Sequence, residues 1–254
     1  MTALLDISGL KRNFGGVKAL DGASLRVEAG RLTGLIGPNG AGKTTLFNVV
    51  SGLLRPESGH IAFDGGDITG WKPERITARG LVRSFQIARG FPKLTVFDHL
   101  MIYGPAQPGE QLWRAAVGGE PVWRRERALA EQAWSIARRL NLAAVIDNPV
   151  TQISGGQKKL LEIGRALMAG PKMILLDEPA AGVNPALVEH IADHLQALVA
   201  EGITILLIEH DMALIERVCE HVIVMAEGKD LISGRFEELR EDARVQDAYL
   251  GRKR

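Results

Sequence analysis

The residues best suited to chemistry lie in the segment 37–45, where three glycines precede a lysine and two threonines. A glycine, four residues and then Gly-Lys-Ser/Thr is the pattern that cradles the phosphates of a nucleoside triphosphate. Lys43 supplies a positive charge to the β- and γ-phosphates, and the Thr44 hydroxyl is placed to bind Mg²⁺. The sequence therefore predicts binding of ATP or GTP. The residues of this predicted nucleotide loop are Gly37, Pro38, Asn39, Gly40, Ala41, Gly42, Lys43, Thr44 and Thr45.

The segments on either side of the loop support this interpretation. Residues 32–37 form an apolar run typical of a buried strand, and residues 45–50 begin a helix. The N-terminal end of a helix carries a partial positive charge and favours an anion at that position. A glycine-rich turn with a chance lysine would not require this order of strand, loop and helix.

Two adjacent acids, Asp177 and Glu178, follow a continuous apolar run at 173–176 that suits a parallel strand covered on both faces. Asp177 can hold Mg²⁺ through water, which places Glu178 beside the γ-phosphate. A carboxylate there can polarise the attacking water as general base, an effect worth roughly 10²–10⁴ in rate. Two solvated acids are the alternative, and the loop at 37–45 argues against it.

Three further side chains are candidate functional residues, although each also has an ordinary structural explanation. His210 ends the apolar run 203–208, at the strand edge where ligands bind in open α/β sheets, although a lone histidine is more often structural. Gln86 ends the predicted strand 81–86 and is either a solvated side chain or a ligand of Mg²⁺ or water. Phe14 lies among short strands, where one aromatic residue is usually part of the core.

A second glycine pair, Gly155 and Gly156, lies between Ser154 and Gln157 at the start of an amphipathic helix. Ser154 is a natural N-cap, and the glycines leave backbone N–H groups unobstructed at the positive end of the helix. The segment is therefore either a well-capped helix start or a second phosphate site, and the first loop already accounts for the phosphates.

Composition limits the class of protein. The chain has 254 residues, of which 46% are hydrophobic and 24% charged, and its net charge of +1 argues against a general nucleic-acid binder. A single cysteine, Cys219, excludes an intrachain disulfide and suits a buried thiol in a reducing compartment. No apolar run of 18 residues and no signal peptide is evident, which predicts a cytoplasmic location.

The remaining pattern predicts an α/β protein. Residues 4–31 suggest small antiparallel strands, and residues 61–66 and 222–232 suggest hairpins. Residues 92–165 become helical, with a capping box from Thr95 to Asp98 and a long irregular loop at 104–121. We expect a helical subdomain, 92–165, inserted into a nucleotide-binding core formed by 1–91 and 166–254. Residues 236–250 are predicted as helix.

Taken together, the nucleotide loop, Gln86, the segment 154–157, the acid pair 177–178 and His210 resemble the ATP-binding subunit of an ABC transporter along nearly the whole chain. The resemblance implies a P-loop NTPase fold with a RecA-like parallel sheet, an antiparallel β subdomain and a helical subdomain. It also implies a head-to-tail pair of subunits, in which ATP lies between one chain's loop and the other's signature helix.

The resemblance further implies a role for each remaining candidate. Ser154, Gly155, Gly156 and Gln157 would meet the ATP held by the partner subunit. Phe14 would stack on adenine, and His210 would hold the γ-phosphate and the attacking water. Gln86 would sense Mg²⁺ and the membrane subunits.

The segments 82–96, 178–185, 207–212 and 248–251 resemble the branched-chain amino acid importers more closely, in particular the first of their two ATPase subunits. Two residues depart from the pattern of the wider family. Asn184 replaces a common aspartate, which puts a contact across the dimer in doubt, and Ile153 replaces leucine.

The resemblance implies two permease subunits in the membrane, a second ATPase subunit and, indirectly, an extracytoplasmic substrate-binding protein, with no nucleic-acid partner. It places the chain at the cytoplasmic face of the inner membrane. Import of urea or short amides and export of lipid or lipopolysaccharide remain alternatives. A nucleic-acid-associated ATPase is disfavoured because no long coiled coil and no second cassette is present.

Overall fold

The computed structural model describes residues 3–84, 91–107 and 119–250. The chain divides into two units, Met1–Arg83 with Lys172–Arg254, and Ser84–Pro171. The strands are β1 (Ala3–Phe14), β2 (Val17–Glu28), β3 (Leu32–Ile36), β4 (Ser58–Phe63), β5 (Gly66–Asp67), β6 (Leu81–Arg83), β7 (Met173–Asp177), β8 (Thr204–Ile208), β9 (His221–Ala226) and β10 (Lys229–Gly234). The α-helices are α1 (Lys43–Val50), α2 (Pro73–Ala78), α3 (Val96–Ile102), α4 (Glu120–Arg139), α5 (Gly155–Met168), α6 (Pro185–Ala200), α7 (Met212–Val218), α8 (Phe236–Arg240) and α9 (Ala243–Leu250).

A six-stranded sheet in the first unit has the order β10-β9-β3-β8-β7-β6. Its strands are parallel except for β10, which pairs antiparallel with β9. Strands β3 and β8 are buried along their whole length, because both faces of a central parallel strand are covered. The predicted strands at 173–177 and 203–208 and the predicted closing hairpin are confirmed. The carboxyl ends of β3, β6, β7 and β8 therefore meet at one edge.

A second, four-stranded sheet of the same unit has the order β2-β1-β4-β5 and is antiparallel throughout. It confirms the small antiparallel strands and the hairpin predicted around residue 61. Apolar side chains of this sheet are buried together with side chains of α1 and the parallel sheet. Members of this core include Leu5, Ile7, Leu20, Leu35, Leu46, Phe47, Phe63, Leu175 and Leu206.

The last helical stretch of the chain differs from the prediction. Residues 236–250 form two helices, α8 and α9, with a break at Glu241 and Asp242. The carboxylate of Asp242 accepts a hydrogen bond from the backbone N–H of Arg244 at 2.8 Å. A side chain bonded to the backbone two residues ahead favours a turn over a continuous helix, which explains the break.

Helices α3, α4 and α5 belong to the second unit. The predicted capping box at the start of α3 is confirmed, because Thr95 and Asp98 bond reciprocally to each other's backbone N–H. The loop predicted to reach residue 121 ends earlier, since α4 begins at Glu120 with Pro121 in its first turn. Proline is tolerated there because the first N–H groups of a helix lack intrahelical partners.

Two predictions from composition concern the single cysteine and membrane-spanning segments. Cys219 is buried, as predicted, and burial raises the pKa of its thiol. Across the described ranges, none of the helices combines the length and the apolar character needed to traverse a bilayer.

Candidate nucleotide site

The predicted catalytic residues of the first unit lie at one edge of the parallel sheet. The nucleotide loop follows β3, the acid pair lies at the end of β7, and His210 lies two residues beyond β8. The strand register aligns Asp177 with Ile208 and Ile208 with Leu35, so the three strand ends form one row. Ligands in open α/β sheets bind at this edge.

The backbone of the nucleotide loop is closely packed. A Cβ atom on Gly37 would lie 2.1 Å from the carbonyl oxygen of Met225, and one on Gly42 would lie 2.4 Å from that of Ala19. Gly42 also has φ of 100°, a left-handed conformation that glycine adopts without strain. These two glycines are therefore required by contact with neighbouring backbone.

Lys43 is only 7% exposed, and its Nζ donates to the carbonyl oxygens of Gly37 at 2.6 Å and Pro38 at 3.1 Å. Burial lowers the pKa of the Lys43 ammonium, and the carboxylates of Glu178 and Asp177 oppose that shift. The ammonium is therefore held over the loop, within the electrostatic reach of both acids. Thr44, the next residue of α1, is exposed, and Thr45 is half-buried.

Glu178 has an unusual backbone. Its φ of 51° lies in the left-handed region, which costs a residue other than glycine on the order of 1–3 kcal/mol. The backbone N–H of Glu178 donates to the carbonyl oxygen of Ile208 at 2.9 Å, which ties the turn to β8. His210 Nε2 lies 3.1 Å from Glu178 Oε1. Such strain is typical of functional positions, because the fold must stabilise a conformation that the residue itself disfavours.

Glu209 is a site residue whose role the sequence analysis did not identify. It is 3% exposed, and its Oε1 accepts from the backbone N–H of Ala180 at 2.7 Å while Oε2 accepts from that of His210 at 3.1 Å. Burial raises the pKa of the Glu209 carboxyl, and these hydrogen bonds with one from Asp211 oppose the shift. Glu209 therefore holds the loops after β7 and β8 together. A carboxylate directly after a buried run was the available signal.

Arg83, at the end of β6, was also missed. Its Nη2 donates to Oδ2 of Asp177 at 3.0 Å, and its Nη1 donates to Oδ1 of Asn48 on α1. Asp177 thus has a partly buried basic partner in addition to any metal ion.

The donor chemistry at this edge fits Mg²⁺. Asp177 and Thr44 offer a carboxylate and a hydroxyl oxygen, and Mg²⁺ is commonly held by one or two carboxylates together with substrate phosphates and water. Within residues 3–84, 91–107 and 119–250, no group of three or more His, Cys, Asp or Glu forms a cage for a metal. The two oxygen ligands of Asp177 and Thr44 would suit an ion that also binds nucleotide phosphates. Gln86, the third predicted ligand, lies outside the described residues.

Phe14 lies at the β1–β2 hairpin and is 42% exposed, with the guanidinium carbon of Arg12 5.1 Å from its ring centre. The predicted contact of Phe14 with adenine stays a prediction. Asn184, the unusual residue after the acid pair, caps α6 by accepting from the backbone N–H of Leu187 at 2.9 Å. An aspartate would make the same capping bond.

The segment 154–157 lies in the second unit. Ser154 Oγ accepts from the Gln157 backbone N–H at 3.2 Å, and Gln157 Oε1 accepts from the Ser154 backbone N–H at 2.8 Å, which forms a capping box. Ser154 and Gly155 are exposed, whereas Gly156 and Ile153 are buried, so isoleucine fills an apolar position there. The exposed N-terminus of α5 presents backbone N–H groups to solvent.

Comparison with known proteins yields one family. A family model described as ABC transporter matches residues 20–181. The branched-chain amino acid transport ATP-binding protein BraF of Pseudomonas aeruginosa is 37% identical over 254 residues, covering 98% of this chain and 98% of that protein. The corresponding Escherichia coli protein, LivG, is 33% identical over 253 residues, with the same coverage of both chains.

Solved structures agree with the sequence relatives. A nucleotide-free ATP-binding cassette from an ABC transporter superposes with a TM-score of 0.87 at 37% identity, covering 99% of this chain and all of that chain. An ATP-binding cassette of an ABC transporter in its ADP conformation has a TM-score of 0.86 at 37% identity, with the same coverage. The predicted P-loop NTPase fold is confirmed.

Proposed function

Because this chain belongs to the ABC transporter family, we propose that it is the ATP-hydrolysing subunit that energises an importer of branched-chain or other amino acids. The observation that carries the ATPase assignment is the convergence of Lys43, Glu178 and His210 at one sheet edge. The substrate class follows from relatives that are named for branched-chain amino acid transport and are similar along almost the whole chain.

The proposed hydrolysis uses Glu178 as general base. The carboxylate takes a proton from the attacking water as the water oxygen bonds to the γ-phosphorus. The bond from that phosphorus to the β–γ bridging oxygen breaks, and ADP leaves with the electron pair. His210, 3.1 Å from Glu178, orients the carboxylate, and Lys43 stabilises charge on the β- and γ-phosphates. Bound Mg²⁺, held by Thr44 and Asp177, would neutralise phosphate charge.

ATP would act by joining two ATPase subunits head to tail. In this arrangement Ser154, Gly155, Gly156 and Gln157 meet the γ-phosphate held by the partner subunit's loop. The exposed start of α5 supports this role because helix N-termini bind anions. The helical subdomain, 92–165, would carry the motif, and 1–91 with 166–254 would form the nucleotide-binding core. Closure on ATP and reopening after hydrolysis would supply the mechanical step.

The closing pair would drive two permease subunits in the membrane from the cytoplasmic face of the inner membrane. The subunits would dock near Gln86 and the helical subdomain, and an extracytoplasmic binding protein would deliver the substrate. The transported molecule would not touch this chain, so its identity is set by the partners.

The experiment is affinity purification of tagged Glu178→Gln protein with ATP from detergent-solubilised membranes, followed by mass spectrometry. The substitution holds ATP without turnover and so favours the closed complex. Lys43→Ala protein is the matched control, because it should not form the ATP-dependent complex. Recovery of two multi-spanning proteins only with the Glu178→Gln chain supports the proposal, and recovery of ribosomes or nucleic acid without them contradicts it. The associated binding protein, screened with amino acids, amides and urea, then identifies the substrate.

A further inference from the structure

Arg83 connects two parts of the nucleotide site that are distant in sequence. One nitrogen of its guanidinium donates to Asp177 at the end of β7, and the other donates to Asn48 on α1. Asn48 lies four residues after Thr44, so both project from the same face of α1. Arg83 therefore bridges the strand that presents the acid and the helix that presents the hydroxyl.

The bridge is partly buried. The Arg83 side chain is 9% exposed, and its guanidinium carbon lies 5.7 Å from the ring centre of Phe47. Charged hydrogen bonds are stronger where water is excluded, and a guanidinium packed on an aromatic ring has few alternative orientations. The contact thus fixes the position of the Asp177 carboxylate more firmly than an ion pair at the surface would.

We propose that Arg83 is a positioning residue of the Mg²⁺–ATP site, an inference that rests on the proposed function. It holds Oδ2 of Asp177 by a hydrogen bond, so Oδ1 would be the oxygen offered to a cation shared with Thr44. The groups that orient a metal ligand are part of a metal site, and their loss typically costs about 10- to 100-fold in metal affinity or activity.

The positive charge of Arg83, in contrast to its positioning of Asp177, acts against the binding of a metal ion. A cation beside Asp177 reduces the negative charge available to Mg²⁺, so repulsion alone would make Arg83 weaken metal binding. We expect orientation to outweigh repulsion, because the guanidinium is held by Asp177, Asn48 and Phe47. Lysine cannot replace this geometry, since its single ammonium lacks the planar fork that reaches two acceptors.

The test measures metal binding directly. Mn²⁺, an oxygen-preferring divalent ion visible by electron paramagnetic resonance, is titrated into full-length protein saturated with a non-hydrolysable ATP analogue. Arg83→Lys and Arg83→Met are compared with Arg79→Met, a control in which the lost guanidinium contacts the Phe63 and Asp64 carbonyls instead. Both Arg83 variants should bind Mn²⁺ roughly 10-fold or more weakly, while the control matches wild type.

ATP affinity in EDTA separates positioning of the metal ligand from general damage. It should stay within about twofold of wild type in the Arg83 variants, because the loop and Lys43 remain intact. Asn48→Ala removes only one arm of the bridge and should weaken Mn²⁺ binding by roughly two- to tenfold. The Asn48→Ala variant therefore still tests the proposal if the Arg83 variants do not fold.

The outcomes distinguish the two proposals. Unchanged Mn²⁺ affinity in all these variants, or tighter binding in Arg83→Met, overturns the role of Arg83. Failure of the wild-type protein to bind Mn²⁺ in the presence of the ATP analogue instead counts against the metal–nucleotide site itself.

Discussion

The imidazole Nε2 of His210 lies 3.1 Å from the carboxylate Oε1 of Glu178, although the two residues follow different strands. Their backbones are also connected, because Glu178 donates to Ile208 at the end of the strand that leads to His210. The acid that would accept the proton of water is thus held by both backbone and side chain.

Glu178→Gln should therefore slow ATP hydrolysis at least about 100-fold while ATP binding persists, because only the proton acceptor is lost. His210→Ala should slow hydrolysis less, and the double variant should be little slower than Glu178→Gln, because the two side chains act as a unit. Phosphate release and equilibrium binding of fluorescent ATP measure the two effects. Turnover near the wild-type rate in Glu178→Gln would exclude the general base, and additive losses would exclude the coupling.

Lys43→Ala should weaken ATP binding by roughly 10- to 100-fold, because a buried charged donor to the phosphates is removed. Lys172→Ala is the matched control, since Lys172 precedes β7 at the opposite end from Asp177 and pairs with Asp64. Isothermal titration calorimetry with ATP provides the measurement. Equal affinity in Lys43→Ala and wild type would mean that the nucleotide is held elsewhere.

Asn184→Ala should lower the free energy of unfolding by about 1 kcal/mol, because the backbone N–H of Leu187 loses its capping acceptor. Asn184→Asp should preserve stability, since aspartate caps equally well and its charge suits a helix N-terminus. Urea denaturation measures the free energy of unfolding of wild type and of the two variants. Equal stability of the alanine variant would show that the cap contributes little.

Glu209 gives a pH-dependent prediction. Burial raises its pKa in the folded protein above the ordinary 4.5, so the folded state holds this proton more tightly than the unfolded state does. The stabilisation from that proton is complete below pH 4.5 and is lost as pH rises through the folded pKa. Glutamine cannot ionise, so the stability of Glu209→Gln relative to wild type should increase with pH over this window.

Unfolding free energies from urea titrations at a series of pH values from 4 upward test this difference. Glu57→Gln is a suitable control, because Glu57 is an exposed carboxylate on another part of the unit, bonded to Asn13. If the difference in unfolding free energy between Glu209→Gln and wild type does not vary with pH, ionisation of Glu209 does not destabilise the folded protein.

The features that were predicted from the sequence each depend on residues that are close together in the chain. The nucleotide loop, the apolar strands and the Thr95 capping box each occupy a few consecutive residues, and the chemistry of each depends on that spacing. The role proposed for the acid pair also rests on its position after a buried strand. Local order therefore indicated the fold and the position of the candidate nucleotide site.

The features that were missed depend on distant partners. Arg83 and Asp177 are 94 residues apart in sequence and meet because β6 and β7 are neighbours in the sheet. Glu209 resembles a solvated strand end until the structure shows it buried among backbone N–H groups. The left-handed φ of Glu178 likewise comes from the turn as a whole, since glutamate has no preference for that conformation.

The nucleotide loop is enclosed by residues that are made well after it. Gly37 lies against the carbonyl of Met225, and the backbone N–H of Gly228 donates to Ala41 at 3.1 Å while its carbonyl accepts from Asp21 at 2.9 Å. The wall of the loop thus comes from the β9–β10 turn, far along the chain. During synthesis the motif leaves the ribosome early but acquires this support only when the turn has emerged. A nascent or truncated chain that ends before Met225 therefore carries the complete ATP motif without its support, and premature ATP binding by an unfinished subunit is disfavoured.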